Sequence, residues 1–321
     1  MRSVLHLIPL EKVFEKPKSF SQTSDNLYRE YNQSLRMTPN LDDQWFVCFL
    51  RRHFPDNKTV INFFGTLGEP FYIRNPYPGK KVFFTPEDVE HPWTRRNILY
   101  GDYCLDYVDL AMGFGKLDDT KYLRFPYWIL RTFSPESTSE TIRNRIMRIN
   151  ETRYTKTQDC VLINSHDKGG NREMIYNGVK DILNVKMAGK WRNNTDELWS
   201  KYNDNKELYM RNFKFNICPE NDNTENYVTE KIFDAFVSDS IPLYYGSNNN
   251  PEPGLINRDA VIFWNKNGSN EANRRKVAEL KNNEAFYKDF IEQPKLLPEA
   301  ADYVIDRFAK LREQFARILH E

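Results

Sequence analysis

The stretch 212–247, NFKFNICPENDNTENYVTEKIFDAFVSDSIPLYYGS, holds the densest set of residues able to do chemistry. Its order reads as a strand, a polar loop, a helix and a second strand. The loop 220–226 (ENDNTEN) is more polar than a simple connection needs, and it delivers the chain into a helix expected over about 226–238. A helix N-terminus presents unpaired N–H groups and a partial positive charge, which suits a phosphate. On that helix Tyr227, Glu230 and Lys231 fall at i, i+3 and i+4 and share one face, whereas Val228, Ile232, Ala235 and Phe236 form an apolar one. By spacing alone these residues also fit solvated helix charges after a plain turn. A calcium loop would need a central glycine and a terminal glutamate that ENDNTEN lacks. Glu220, Glu225 and Glu230 stand five apart, which is not the spacing of metal ligands on a helix.

These residues need a scaffold, and the second half of the chain supplies an alternating one. Strands are expected at 160–165, 213–218, 241–246 and 260–264, with helices at about 173–184, 195–211 and 226–238. Repeated strand, helix, strand units mean a parallel sheet with crossover helices, and such sheets bind ligands beyond the carboxyl ends of their strands. In the first half, short apolar runs read as buried strands: TVINFFG, KVFFT and YVDLAMGF. A helix is expected near 43–54, an aromatic run at 122–133 and another helix within 134–150. The polar, unpatterned stretch 151–159 marks the boundary, giving an N-terminal domain of 1–150 and a C-terminal domain of 151–321. The last segment, 299–321, places Val304, Phe308, Leu311, Phe315 and Ile318 on one apolar stripe. It reads first as a terminal helix docked on its own protein, with dimerisation or contact with a membrane surface as the alternatives.

Composition narrows the class. The 321 residues include 46 Lys and Arg against 45 Asp and Glu, a formal charge of +1, so no long-range field favours nucleic acid and an anionic ligand must be held locally. Cys48, Cys104, Cys160 and Cys218 have neither zinc nor redox spacing and read as isolated thiols. Residues 1–10 meet Glu11 too soon for the apolar stretch of a signal peptide, and no segment approaches the roughly 18 apolar residues of a membrane span. The expected location is cytoplasmic.

The segment CPENDNTENYVTEKIFDAF followed by IPLYYG resembles the donor-binding signature of the α1,3/α1,4-fucosyltransferases, glycosyltransferase family 10. Asn221, Tyr227, Thr229, Glu230 and Lys231 fall on its polar positions, and Pro242, Tyr244 and Gly246 on the strand that follows. A looser resemblance lies upstream, in KVFFTPEDVEHPW, DYVDLAMGFG and LRFPYW, with Glu87 at the position of a family glutamate. In GGNREMIYNGVKD, Arg172 stands where the family has an arginine near the start of the first donor-domain helix. Pro219 and Asp222 depart from the residues common at their positions.

The resemblance implies an α/β fold of the GT-B arrangement, two Rossmann-like domains facing across a cleft, with the acceptor domain and its general base first and the donor domain second. It implies GDP-β-L-fucose as donor and inverting transfer to a hydroxyl of N-acetylglucosamine in an oligosaccharide containing Gal-GlcNAc. Arg172 and Lys231 would meet the diphosphate, the arginine in a fork and the lysine as a compact charge. Glu230 and Tyr227 would bind ribose or fucose hydroxyls, and Asn221 would add a donor contact. Glu87 would be the general base; read without the resemblance, Glu87, Asp88 and Glu90 make a solvated acidic loop. Asp88, Glu90 and His91 are the other candidates for that role. The scheme requires no metal and no cofactor, although a divalent cation could help indirectly. Other expected partners are the inner membrane face, touched peripherally, and a second copy of the chain. The rival readings are a GT-B transferase for another nucleotide sugar and a glycan-binding relative without turnover.

Overall fold

A computed structural model describes residues 20–31, 40–66, 70–91 and 100–320. Pro92 and Trp93, and much of the weakly patterned first 60 residues, lie outside them. The chain divides into two compact units. The first holds the described residues up to Pro126 with 134–136 and 307–320, and the second holds 127–133 and 137–306. The second unit thus takes in the helices Tyr127–Thr132 and Ser139–Glu151, which the boundary expected near 150 assigns to the first.

In the first unit the sheet runs β1 (Ser21–Gln22), β2 (Tyr28–Glu30), β3 (Ile61–Phe64), β4 (Lys80–Phe84), β5 (Leu110–Gly113) and β6 (Tyr122–Arg124), in that spatial order. β1 and β2 pair antiparallel; every later pair is parallel. The runs INFF and LAMG are buried along their whole length, as parallel strands covered on both faces must be. The helix Trp45–His53 opens on Gln44, whose side-chain oxygen accepts from the N–H groups of Phe46 and Val47. Its Trp45, Phe46 and Phe49 pack with Phe308 and Phe315 at ring separations of 5.6 to 6.4 Å. All five stripe residues of the helix Glu299–His320 are buried.

The second unit is a five-stranded, fully parallel sheet in the order β11-β10-β9-β7-β8. Its strands are β7 (Gln158–Leu162), β8 (Val185–Met187), β9 (Phe213–Ile217), β10 (Ile241–Tyr244) and β11 (Ile262–Phe263). Numbered from β7, that order is 2-1-3-4-5, so the winding reverses between β7 and β9. Leu162, Ile175, Val179, Phe215, Ile217, Leu243 and Trp264 form its core. β8 and the helices Glu271–Asn282 and Glu284–Glu292 were not expected.

Two expectations are corrected. The single helix expected over 195–211 is two, Glu197–Ser200 and Lys206–Met210, broken where Asn203 and Asp204 adopt left-handed backbone at φ 50° and 59°. The helix expected from about 226 begins only at Lys231 and ends at Val237. Asn226 is itself left-handed, at φ 62°, and the next residues are held by a side chain described below. Tyr227, Glu230 and Lys231 therefore share no helical face, and no helix N-terminus lies near Asn226.

Candidate functional site

Ligands of doubly wound sheets bind outside the carboxyl ends of the strands, where the winding reverses. Here that point is the space beyond Leu162 of β7 and Ile217 of β9. A solvent-open cavity occupies it, about 490 Å³ with the solvent at its mouth included, walled by Asn164, Arg172, Lys206, Pro219, Glu230, Lys231 and Asp234 among others. Three residues singled out in the sequence, Arg172, Glu230 and Lys231, thus stand on one wall although nearly sixty positions separate the first from the others.

Arg172 lies in the first turn of the helix Asn171–Val179 and is 4% exposed. The Asp167 carboxylate accepts from the backbone N–H groups of Arg172 and Glu173 and lies 3.6 Å from the guanidinium, while Arg172 Nη2 donates to Asn221 Oδ1 at 2.7 Å. A long side chain that would otherwise lose rotamer freedom on binding is held beforehand. Asn221 is in turn tied to the helix start, because Asn171 Nδ2 donates to the carbonyls of Glu220 and Asn221.

Lys231 is organised by Glu220, a residue of the signature-like segment to which the sequence alone gives no role. Glu220 is fully buried, and its carboxylate accepts from Thr229 N at 2.8 Å, Thr229 Oγ1 at 2.6 Å, Lys231 Nζ at 3.2 Å and Tyr244 Oη at 3.4 Å. Lys231 also donates to Thr229 Oγ1 at 2.6 Å, and Glu230 lies 3.7 Å away. Gly246 completes the arrangement. A Cβ there would sit 2.7 Å from Glu220 Cγ, at a φ of +151°. The bond from Thr229 N to Glu220 is also what keeps residues before Lys231 out of the helix.

The charges respond to this packing. Burial opposes the Lys231 ammonium, but Glu220 and Glu230 outweigh it and push its pKa up. Burial would raise the Glu230 carboxyl, yet the Lys231 charge holds it below its ordinary value. Asp234, one helical turn on, is pushed up to about 7 by burial and then by Glu230. The wall thus presents two cations held in place, Arg172 and Lys231, a third at Lys206, one firmly ionised carboxylate and one that titrates near neutrality, suited to a diphosphate flanked by hydroxyls.

The remaining candidates fall elsewhere. Asn221 stands behind Arg172 and Thr229 behind Lys231, and Tyr227 is 1% exposed. Glu87 belongs to the first unit, two residues past Thr85 at the carboxyl end of β4. Thr85 Oγ1 accepts from Glu87 N at 3.0 Å and donates to Glu87 O at 3.1 Å, and Asp88 Oδ1 accepts from Glu90 N at 2.8 Å, so the loop is pinned with Glu87 partly accessible and Asp88 buried. Tyr127 and Trp128, from the RFPYW run, join the second unit: Trp128 stacks on Phe233 at 4.1 Å and donates to Glu252, and burial with Glu230 nearby pushes the Tyr127 phenol up to about 12. The four cysteines are free thiols, and no helix among the described residues is long and apolar enough to cross a membrane.

Residues 153–305 match the family model described as glycosyltransferase family 10 (fucosyltransferase) C-term. The chain is 29% identical over 221 residues to the alpha-(1,3)-fucosyltransferase FucT of Helicobacter pylori, covering 60% of this chain and 43% of that protein. It is 32% identical over 136 residues to an alpha-(1,4)-fucosyltransferase of Arabidopsis thaliana, covering 37% and 33%. The chain therefore spans less than half the length of these curated relatives. Two crystal structures of α1,3-fucosyltransferase, one with GDP-fucose and one with GDP, superpose with TM-scores of 0.55 and 0.56 at 24% identity, over 81% of this chain and 78% of theirs. That likeness establishes the GT-B fold class expected from the sequence.

Proposed function

We propose, from the match of residues 153–305 to the glycosyltransferase family 10 model, that this chain is a fucosyltransferase that takes GDP-β-L-fucose as donor. Its acceptor in this reading is a hydroxyl of N-acetylglucosamine in an N-acetyllactosamine-type glycan, joined in an α1,3 linkage with inversion; an α1,4 linkage is the alternative outcome. The observation that carries the reading is the wall at the switch point, where Arg172 and Lys231 stand beside Glu230.

The diphosphate gains negative charge as the glycosidic bond breaks, so cations fixed in advance stabilise the transition state more than the ground state. Arg172, already held by Asp167 and Asn221, offers a fork to two phosphate oxygens, and Lys231 offers a compact charge. Glu230, kept ionised by Lys231, accepts from ribose or fucose hydroxyls. Tyr227, 1% exposed, takes no sugar contact in this scheme. Glu87 takes the proton from the incoming hydroxyl as it attacks the anomeric carbon. The positive charge comes from side chains, so transfer is expected to persist under a metal chelator.

The test is to incubate the purified chain with GDP-fucose and N-acetyllactosamine, with and without chelator, following GDP release and glycan mass. A glycan heavier by one fucose supports the reading. Transfer from another nucleotide sugar in preference, or GDP-fucose bound without transfer to any of a panel of Gal-GlcNAc acceptors, overturns it.

A further inference from the structure

We infer that Glu220 is a positioning residue for the diphosphate: through Thr229 it fixes the Lys231 ammonium at the wall of the donor cavity before the donor arrives. This rests on the reading of Lys231 as a phosphate ligand. Glu220 itself is fully buried and touches no ligand.

The argument begins with what a buried carboxylate requires. Taking such a group from water is unfavourable unless its lone pairs and its charge are met. Both Glu220 oxygens accept two hydrogen bonds each, and Lys231 supplies the opposing charge. Every donor to it is a residue of the 229–244 segment, and the main chain is tied as well: Glu220 N donates to Tyr245 O, and Asn171 Nδ2 donates to Glu220 O. Glu220 therefore joins the ends of β9 and β10 to the lysine and, through Asn171, to the helix that carries Arg172. Lys231 commits two N–H groups, to Glu220 Oε2 and Thr229 Oγ1. An ammonium has three, and the residue borders the cavity. A flexible four-carbon stem is thus held to one geometry, which removes much of the ordering it would otherwise undergo on binding. The arrangement also gives Thr229, Tyr244 and Gly246 one shared task, that of shaping the Glu220 pocket.

Calorimetric titration of GDP and of guanosine into the wild-type chain, Lys231→Ala, Glu220→Gln and the double variant tests this. Glu220→Gln should weaken GDP about tenfold or more, the loss expected for a charge-assisted contact, and leave guanosine unchanged. In the Lys231→Ala background the same change should add less than about twofold, because its effect passes through the lysine. Thr229→Val, which removes the bridging hydroxyl while keeping the shape, should show the same phosphate-selective loss if Glu220→Gln fails to fold. Equal loss for GDP and guanosine, full additivity with Lys231→Ala, or unchanged GDP affinity in both Glu220→Gln and Thr229→Val would overturn the inference. Unchanged GDP affinity in Lys231→Ala instead overturns the phosphate assignment on which it stands.

Discussion

The two sheets of this chain are wound from similar material and differ in one respect. In the first, β2 to β6 lie side by side in the order in which they occur, so no point of reversal opens between neighbouring strands. In the second, β8 lies on one side of β7 and β9 on the other. The connections that leave β7 for β8 and β9 for β10 run in opposite directions there, and the gap is lined by whatever follows the two strands. After β7 come Asp167 and Arg172, and after β9 come Glu220, Glu230 and Lys231. The first sheet places its polar residues otherwise, on the pinned loop after β4, where Glu87 is partly accessible, Glu90 exposed and Asp88 buried. Anion binding is thus proposed for the sheet that reverses and proton transfer for the sheet that does not.

The sharpest way to break that division is Glu87→Gln. It should lower transfer by about 10² or more, the range for loss of a general base, with GDP affinity unchanged in titration. Weakened GDP binding would place Glu87 in donor recognition and dissolve the comparison. Next in size, Arg172→Ala and Lys231→Ala should each weaken GDP by about 10- to 100-fold, as expected when a hydrogen bond to a charged group is lost. Gly246→Ala should follow. Its new methyl meets Glu220 Cγ at 2.7 Å, and the overpacking should cost about 1–3 kcal/mol in chemical denaturation together with a loss of GDP affinity. Unaltered stability and affinity would show that the Glu220 pocket yields easily.

The smallest expected effect concerns pH. Asp234 has its carboxyl pushed from 3.8 up to about 7, first by burial and then by Glu230. A carboxyl raised in the folded state supports folding fully below its unfolded value and withdraws that support as pH rises through the folded one. From this group, stability should fall between pH 3.8 and about 7. Asp234→Asn has no proton to lose, so its melting temperature should exceed that of the wild type by more at pH 8 than at pH 4. An equal difference at both would contradict the shift.

Much of this division is legible in the residues. The apolar runs INFF and VFF, buried on both faces, mark parallel strands because only a doubly covered strand is apolar without alternation. Arg172, Glu230 and Lys231 were expected together through resemblance, and the fold does bring them to one wall. What could not be read was the local conformation of 220–230. Apolar periodicity continues back to Val228, so a helix from 226 is the natural expectation, and the competing event is one side chain nine residues upstream taking the Thr229 N–H. No period or propensity encodes a contact made by a buried carboxylate across a loop. For the same reason Glu220 looked like one of three evenly spaced acidic residues. Asn203 and Asp204, by contrast, are types that tolerate left-handed backbone, and the break they make between two short helices was open to notice.

If the reversal point of the second sheet is the donor site, nucleotide binding must depend on Arg172. This is tested most directly by titrating GDP, UDP and ADP into the wild-type chain and into Arg172→Ala. GDP should bind more tightly than UDP or ADP, and Arg172→Ala should lose about tenfold or more of that affinity. A preference for UDP, or GDP affinity indifferent to Arg172, would contradict it.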